Sequence, residues 1–229
     1  MFDKPLMIFD CDGVLIDSEI IYLEEEFRVL TSNGIEVDKA WFVAEFMALA
    51  QPLWKDKFVG LIKERAGVDL TEDEFEAMKA LTRERIAAEI KTVDGVEDML
   101  SALRTKACVA SSTQMQFLPK KLERTKLAQH FGDGVYSGDM VQNGKPAPDL
   151  FLFAAKQMGG DAENSIVIED SVNGVRGGKA AGMYTIGFTG GSHCFEGHAE
   201  SLKAAGADVI LPSHSALLEW LAANTNTLS

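Results

Sequence analysis

The sequence predicts an α/β fold, a doubly wound parallel sheet interrupted by one helical block. Three observations predict it. Short apolar runs of three to five residues recur between longer amphipathic segments, the pattern of buried strands alternating with covering helices. The stretch from Ser18 to Lys91 has helical periodicity throughout and no strand-like run. Acids or hydroxyls follow several of the apolar runs at once, where an open parallel sheet gathers its ligands.

The first strand is Leu6–Phe9. Helices follow over Ile20–Ser32, Lys39–Ala50, Leu53–Arg65 and Thr71–Ile90, the last opened by Thr71-Glu72-Asp73-Glu74. That threonine with an acid three residues on is a capping box. After a helix over Val96–Arg104 come strands Ala107–Ala110 and Val135–Ser137, a helix over Asp149–Met158, and strand Ile166–Ile168. The helix Val172–Ala181 is followed by Gly182 in the C-terminal glycine position. Strands Tyr184–Phe188 and Asp208–Leu211 complete the series, and the polar tail Asn224–Ser229 is expected to fray. The domain division is therefore 1–17 with 92–229 for the α/β core, and 18–91 for a helical cap.

With 229 residues, 46% hydrophobic and 25% charged, the chain has the composition of an ordinary soluble protein with room for a main domain and an insertion. No apolar run approaches the ~20 residues that span a bilayer, and Asp3, Lys4 and Pro5 interrupt any secretory pattern. The expected location is the cytoplasm, with no membrane partner. The formal charge of −13 excludes a phosphate-backbone partner such as nucleic acid. Oligomeric state is not written in the sequence. Cys11, Cys108 and Cys194 show neither disulfide nor zinc spacing; Cys11 and Cys108 read as small buried hydrophobes. His193, His198 and His214 match no helical metal pair and read as surface loop residues. Trp41, Phe42, Phe46, Met47, Trp54 and Phe58 read as the core of the helical block, and Lys55, Lys57, Arg83 and Arg85 as solvated helix faces. Among these, Arg83 is the candidate to grip a second anionic group of a substrate, and selectivity is expected around Ala48–Lys57.

The candidate site residues lie at strand ends. Asp10-Cys11-Asp12-Gly13 follows the first strand, Ser111-Ser112 the second, and Glu169-Asp170 the fourth, with Lys145-Pro146 in a loop. Carboxylates crowded into one buried place repel one another, and each raises its neighbour's pKa unless cations compensate. Lys145 supplies one positive charge and a divalent ion two more.

Asp10-Cys-Asp-Gly-Val-Leu-Ile-Asp17-Ser18, Ser111, Lys145-Pro-Ala-Pro-Asp149 and Glu169-Asp170-Ser-Val-Asn-Gly174 resemble, in order and over essentially the whole chain, the four motifs of the haloacid dehalogenase superfamily. The resemblance is to its phosphatase branch with a helical cap after the first strand, and it implies a Rossmann-like core. It also implies a Mg2+-dependent enzyme in which Asp10 is the nucleophile and Asp12 the general acid and base, with a higher pKa than Asp10. Mg2+ would be held by Asp10, the backbone carbonyl of Asp12 and Asp170, with Glu169 as a ligand through water or a support. Ser111, Ser112 and Lys145 would bind the phosphoryl oxygens. The implied substrates are small phosphorylated metabolites, sugar or polyol phosphates ahead of phosphoglycolate. Three alternatives are a sugar phosphomutase like β-phosphoglucomutase, a haloacid dehalogenase and a non-catalytic binding module. The mutase places a histidine near the first hinge, where Ser18-Glu19-Ile20-Ile21-Tyr22 has none. The dehalogenase needs neither Asp12 nor Asp170, and the intact set of acids, hydroxyl and lysine speaks against a binding module.

Overall fold

A computed structural model describes residues 2–46 and 51–228. Six strands, β1 (Leu6–Phe9), β2 (Ala107–Ser111), β3 (Val135–Ser137), β4 (Ser165–Glu169), β5 (Tyr184–Phe188) and β6 (Val209–Leu211), form one sheet. Their order is β3-β2-β1-β4-β5-β6, and every neighbouring pair is parallel. All four residues of β1 are buried, which requires cover on both faces. Met7 and Phe9 enter one hydrophobic cluster with Val109, Ile166 and Ile168. Leu6 and Ile8 enter another with Cys108, Ala110 and Val167. This alternation is the period of two of a pleated strand, read here as two cores rather than as core and solvent.

The helices of the core are α5 (Val96–Ala102), α6 (Leu118–Arg124), α7 (Asp149–Met158), α8 (Val172–Ala180), α9 (His198–Ala204) and α10 (His214–Asn224). The helices expected over Val96–Arg104, Asp149–Met158 and Val172–Ala181 are α5, α7 and α8; the structure adds α6 and α9, of seven residues each, and α10. As far as Leu228, the tail does not fray as expected; Ser229 lies outside the described residues. Asn224 accepts from the Phe2 N–H at 2.9 Å, Thr227 accepts from the Arg104 N–H at 2.6 Å, and Leu228 bridges Leu103. Thr225 and Thr227 are buried. Tertiary pairing overrides the polar composition of this segment.

Between β1 and α5 stand α1 (Glu19–Ser32), α2 (Lys39–Phe46), α3 (Gln51–Ala66) and α4 (Glu72–Glu89). The capping box at Thr71 and Glu74 is present. The aromatic residues pack as a core of this block: Phe42 stacks on Phe46 at 4.2 Å and Trp54 on Phe58 at 4.9 Å. Trp41, by contrast, is exposed, and Met47 with Ala48–Ala50 lies outside the described residues. The basic side chains are at least partly exposed, as expected, and three of the four are also paired. Lys55 bonds Glu72 and Lys57 bonds Glu45, while Arg85 clamps Glu24, Glu25 and Glu89. The chain leaves and re-enters the sheet region side by side. Ile16 forms an antiparallel bridge with Thr92, the Asp17 N–H donates to Lys91 O, and the Val93 N–H donates to Leu15 O.

Candidate active site

The strand order reverses across β1, which has β2 on one side and β4 on the other. Such a switch point opens a crevice at the carboxyl ends of the strands. Register does the rest: Phe9 is level with Val109 and with Ile168. Asp10, Ser111, Glu169 and Asp170 therefore emerge at nearly one height. Asp10 is fixed to β4 by its own N–H, which donates to Ile168 O at 2.9 Å.

Lys145 joins the strands. Its side chain is 4% exposed, and its ammonium donates to Asp10, to Glu169 and, at 2.9 Å, to Ala110 O. Burial lowers its pKa, but Asp10 and Glu169 outweigh burial and hold it well above the usual lysine range. Glu169 is fully buried and also accepts from the Ser171 N–H at 3.1 Å and the Ser171 hydroxyl at 2.9 Å. Ser171 in turn caps α8 through the Gly174 N–H. The seat of Glu169 exists because position 174 is glycine: a Cβ there would lie 1.8 Å from the Glu169 carboxyl carbon.

Asp170 is supported from the loop after β5. His193 Nε2 lies 2.9 Å from its Oδ2, and His198 Nε2 lies 2.7 Å from its backbone oxygen. Gly13, at φ +81°, leaves the space this carboxylate occupies; a Cβ there would fall 1.9 Å from Asp170 Oδ2. The expectation that the three histidines lie on the surface is overturned. His193 and His214 have no exposed surface, and His198, half-buried, starts α9. His214 Nε2 pairs with Val14 O at 2.9 Å.

Sequence reasoning missed Lys121 entirely. It is 7% exposed, on α6, and its ammonium donates to Asp12. Thr113 Oγ1 donates to the other oxygen of Asp12 at 2.6 Å, and Ser18 adds a third bond. This cradle reverses the expected order of acidities. Burial pushes Asp12 up, yet Lys121 and the hydroxyls outweigh it and leave its pKa below the usual value. Asp10 is raised well above that value, first by burial, then by Glu169, Asp170 and Asp12, against the opposing pull of Lys145. Burial and the charge of Glu169 likewise raise Asp170. Among the protein's own groups, Asp10 is the weaker acid of the pair.

Ser111 is buried, and its Oγ accepts from the Thr113 N–H at 3.0 Å, so its O–H remains a donor. Ser112 beside it is exposed. Arg83 sits exposed on α4 within electrostatic reach of Glu76; no hydrogen bond or ion pair among the described residues ties it to the crevice. Cys11 and Cys108 are buried, and burial raises both thiols, Cys108 to about 12. From the helical block, α1 faces the crevice. Lys121 Nζ lies 5.9 Å from the Tyr22 ring centroid, and burial with the charge of Asp12 raises Glu19 to about 7.

The donor set suits a hard divalent cation. Fully ionised, Asp10, Asp12, Glu169 and Asp170 would set four negative charges against the two of Lys145 and Lys121, and one such ion would balance the remaining two; without it, burial and the neighbouring acids hold the pKa values of Asp10 and Asp170 up. Carboxylate oxygens are the ligands Mg2+ prefers.

Residues 5–182 match the family described as haloacid dehalogenase-like hydrolase. The chain is 29% identical to 6-phosphogluconate phosphatase of Escherichia coli over 188 residues, spanning 82% of this chain and 83% of that protein. It is 31% identical to a phosphorylated carbohydrates phosphatase of Thermotoga maritima, over 79% of this chain and 82% of the other. The fold matches the crystal structure of a conserved haloacid dehalogenase-like protein of unknown function from Agrobacterium tumefaciens, with TM-score 0.87, 36% identity and coverage of 96% and 98%. Among the described residues no helix is long and apolar enough to cross a membrane. With the acids of β1 and β4 meeting at Lys145, the chain belongs to the haloacid dehalogenase-like hydrolases, in the phosphatase branch, and is an enzyme.

Proposed function

We propose that the protein is a Mg2+-dependent phosphatase of small phosphorylated metabolites, sugar or polyol phosphates foremost, acting through a phosphoryl group carried on Asp10. The observation that carries the reading is the meeting of Asp10, Lys145, Glu169 and Asp170 beside Ser111. A carboxylate oxygen of Asp10 attacks phosphorus and the ester P–O bond breaks. The leaving oxygen takes its proton from Asp12. Asp12 then removes a proton from water, the water oxygen attacks phosphorus, and the bond to Asp10 breaks, releasing phosphate.

Asp10, Asp170 and the backbone carbonyl of Asp12 would hold Mg2+, which when bound supplies charge neutralisation at the phosphoryl oxygens. Lys145 neutralises charge on the same oxygens, and Ser111 with the backbone of Ser112 donates hydrogen bonds to them. Glu169 is already occupied by Lys145 and Ser171, which favours a supporting role in place of ligation. The cradle of Lys121, Thr113 and Ser18 keeps Asp12 oriented but ionised in the free enzyme, so the incoming phosphate's negative charge is what favours its protonated form.

Residues 18–91 act as a cap over the crevice, and α1 contributes its inner wall with Glu19 and Tyr22. Acceptor-rich walls suit hydroxyl-bearing substrates. The names of the two phosphatase relatives support a carbohydrate substrate. In the presence of Mg2+ the protein should release inorganic phosphate from an aryl phosphate, and chelation or Asp10→Asn should abolish release. Turnover of the Asp10→Asn protein at the parent rate would remove the assigned nucleophile. A panel of sugar, polyol and carboxylate-bearing phosphates ranked by kcat/KM then identifies the substrate class.

A further inference from the structure

The loop between β5 and α9 gathers a second set of potential ligands, two of which, His193 and His198, also hold Asp170 in place. His193, Cys194 and His198 each offer one ligand atom, and these atoms lie within 4.8 Å of one another. The sequence gives no warning, because His193-Cys194 followed by His198 is not a paired zinc spacing. The loop is held in place, however. The Cys194 N–H donates to Gly191 O at 3.1 Å, the Phe195 N–H donates to His193 O at 3.0 Å, and the Phe195 ring packs against the core of the helical block. Gly191 makes the slot for the imidazole: a Cβ there would lie 2.7 Å from His193 Cε1 and Nδ1.

The geometry has the dimensions of a borderline-soft metal site. His193 Nε2 and Cys194 Sγ are 3.4 Å apart. Two ligands bound tetrahedrally to zinc at ~2.0–2.1 Å (N) and ~2.3 Å (S) stand roughly 3.5 Å apart. The same Nε2 is 2.9 Å from Asp170 Oδ2, which makes this carboxylate the neighbouring candidate for a fourth ligand. The His193 and His198 rings meet edge to face at 5.4 Å. Cys194 is only partly buried, so an ion has a path to the thiol. Thiolate with imidazole selects zinc-class ions over Mg2+, which takes oxygen ligands.

We propose that His193, Cys194 and His198, together with Asp170, form an inhibitory site for a zinc-class divalent ion adjoining the Mg2+ site. Binding breaks the Cys194 S–H bond. The proton leaves to buffer, the sulfur lone pair goes to the metal, and the imidazoles coordinate as neutral rings with no change of oxidation state. Because Asp170 belongs to both sets, zinc and Mg2+ compete for it. This competition rests on the phosphatase reading above, whereas zinc binding itself does not.

The test uses the full-length protein and has two arms. In the first, the protein is titrated with Co2+ as a spectroscopic stand-in for zinc, and Zn2+ binding is measured by calorimetry with excess Mg2+ present. One equivalent of Co2+ should produce a thiolate-to-cobalt absorption band. Cys194→Ser, which changes one atom, should abolish the band and weaken Zn2+ binding by at least ~10-fold. In the second, Zn2+ should inhibit Mg2+-supported hydrolysis of an aryl phosphate. Cys194→Ser should raise the half-inhibitory Zn2+ concentration at least ~10-fold while leaving the zinc-free rate unchanged. A parent protein without the thiolate band, or equal Zn2+ affinity in parent and Cys194→Ser, overturns the site. A band without inhibition overturns the competition for Asp170. A band in a protein that hydrolyses no phosphate ester with Mg2+ keeps the site and overturns the phosphatase reading.

Discussion

Gly174→Ala is a substitution of one methyl group whose effect is set by a carboxylate five positions earlier. A Cβ at 174 falls 1.8 Å from Glu169 Cδ and 1.9 and 2.2 Å from its two oxygens, so Glu169 has to leave its seat. Leaving costs the ion pair with Lys145 and both bonds from Ser171. Breaking a buried pair in this way costs ~3–5 kcal/mol. For a chain of this length that is a fall in Tm of roughly 6–20 °C. The assay is thermal unfolding of four proteins: parent, Gly174→Ala, Glu169→Ala and the double variant. Once Glu169 is alanine the methyl has room, and alanine in a helix is favoured over glycine by ~1 kcal/mol. Gly174→Ala should therefore leave Tm unchanged or raised in the Glu169→Ala background, an interaction of about 3 kcal/mol or more across the cycle. Equal losses of Tm in both backgrounds would refute the steric argument and with it the reason for glycine at this position.

Two further outcomes follow from the same structure. Lys121→Met removes the only ammonium bonded to Asp12 among the described residues, while Ser18 and Thr113 remain. The pKa of Asp12 should rise by ~1–3 units, and the limb of the kcat–pH profile that reports this acid should move up by the same amount; an unmoved profile would detach Lys121 from the reaction. His214 is buried with its pKa lowered to about 4, chiefly by burial. The unfolded chain, titrating near 6.5, then binds more protons than the folded one between those values. Stability should fall as pH drops through this window, by on the order of 3 kcal/mol at most. His214→Gln, which keeps a donor for Val14 O, should flatten the dependence in urea unfolding from pH 7 to 4.5, and parallel curves for the two proteins would contradict the assignment.

The strands were readable because each is a short apolar run ended by a breaker or a polar side chain, and β1, β3 and β5 match residue for residue. The acids could be found because they follow those runs directly. What the sequence hid depends on tertiary neighbours. Lys121 lies in Leu118-Pro-Lys-Lys-Leu-Glu-Arg, a stretch that looks like a solvated turn; only the docking of α6 buries its ammonium against an acid 109 positions away. The acidity order of Asp10 and Asp12 that their chemical duties imply is reversed by the same docking, which brings Lys121 onto Asp12, and by the burial of Asp10. His214 carries no local mark of burial, since the Val14 O that receives it comes from a distant segment, and His193 is seated between Gly191, two residues before it, and Gly13 from the far end of the chain. The expected selectivity segment 48–57 splits between residues outside the described set and the start of α3, where Trp54 is buried.

The paired crossings at Ile16–Thr92 make the joint between the two parts of the molecule a stitched seam instead of two loose tethers. Asp17, at that seam, is also tied to Ser192 in the loop that carries His193. Ser18, one residue further, bonds Asp12 itself. In the proposed reaction, a swing of the helices about this seam would pull on Asp12 through Ser18 and, through Asp17, on the loop that holds Asp170. Two neighbouring side chains would then couple that swing to the proposed chemistry.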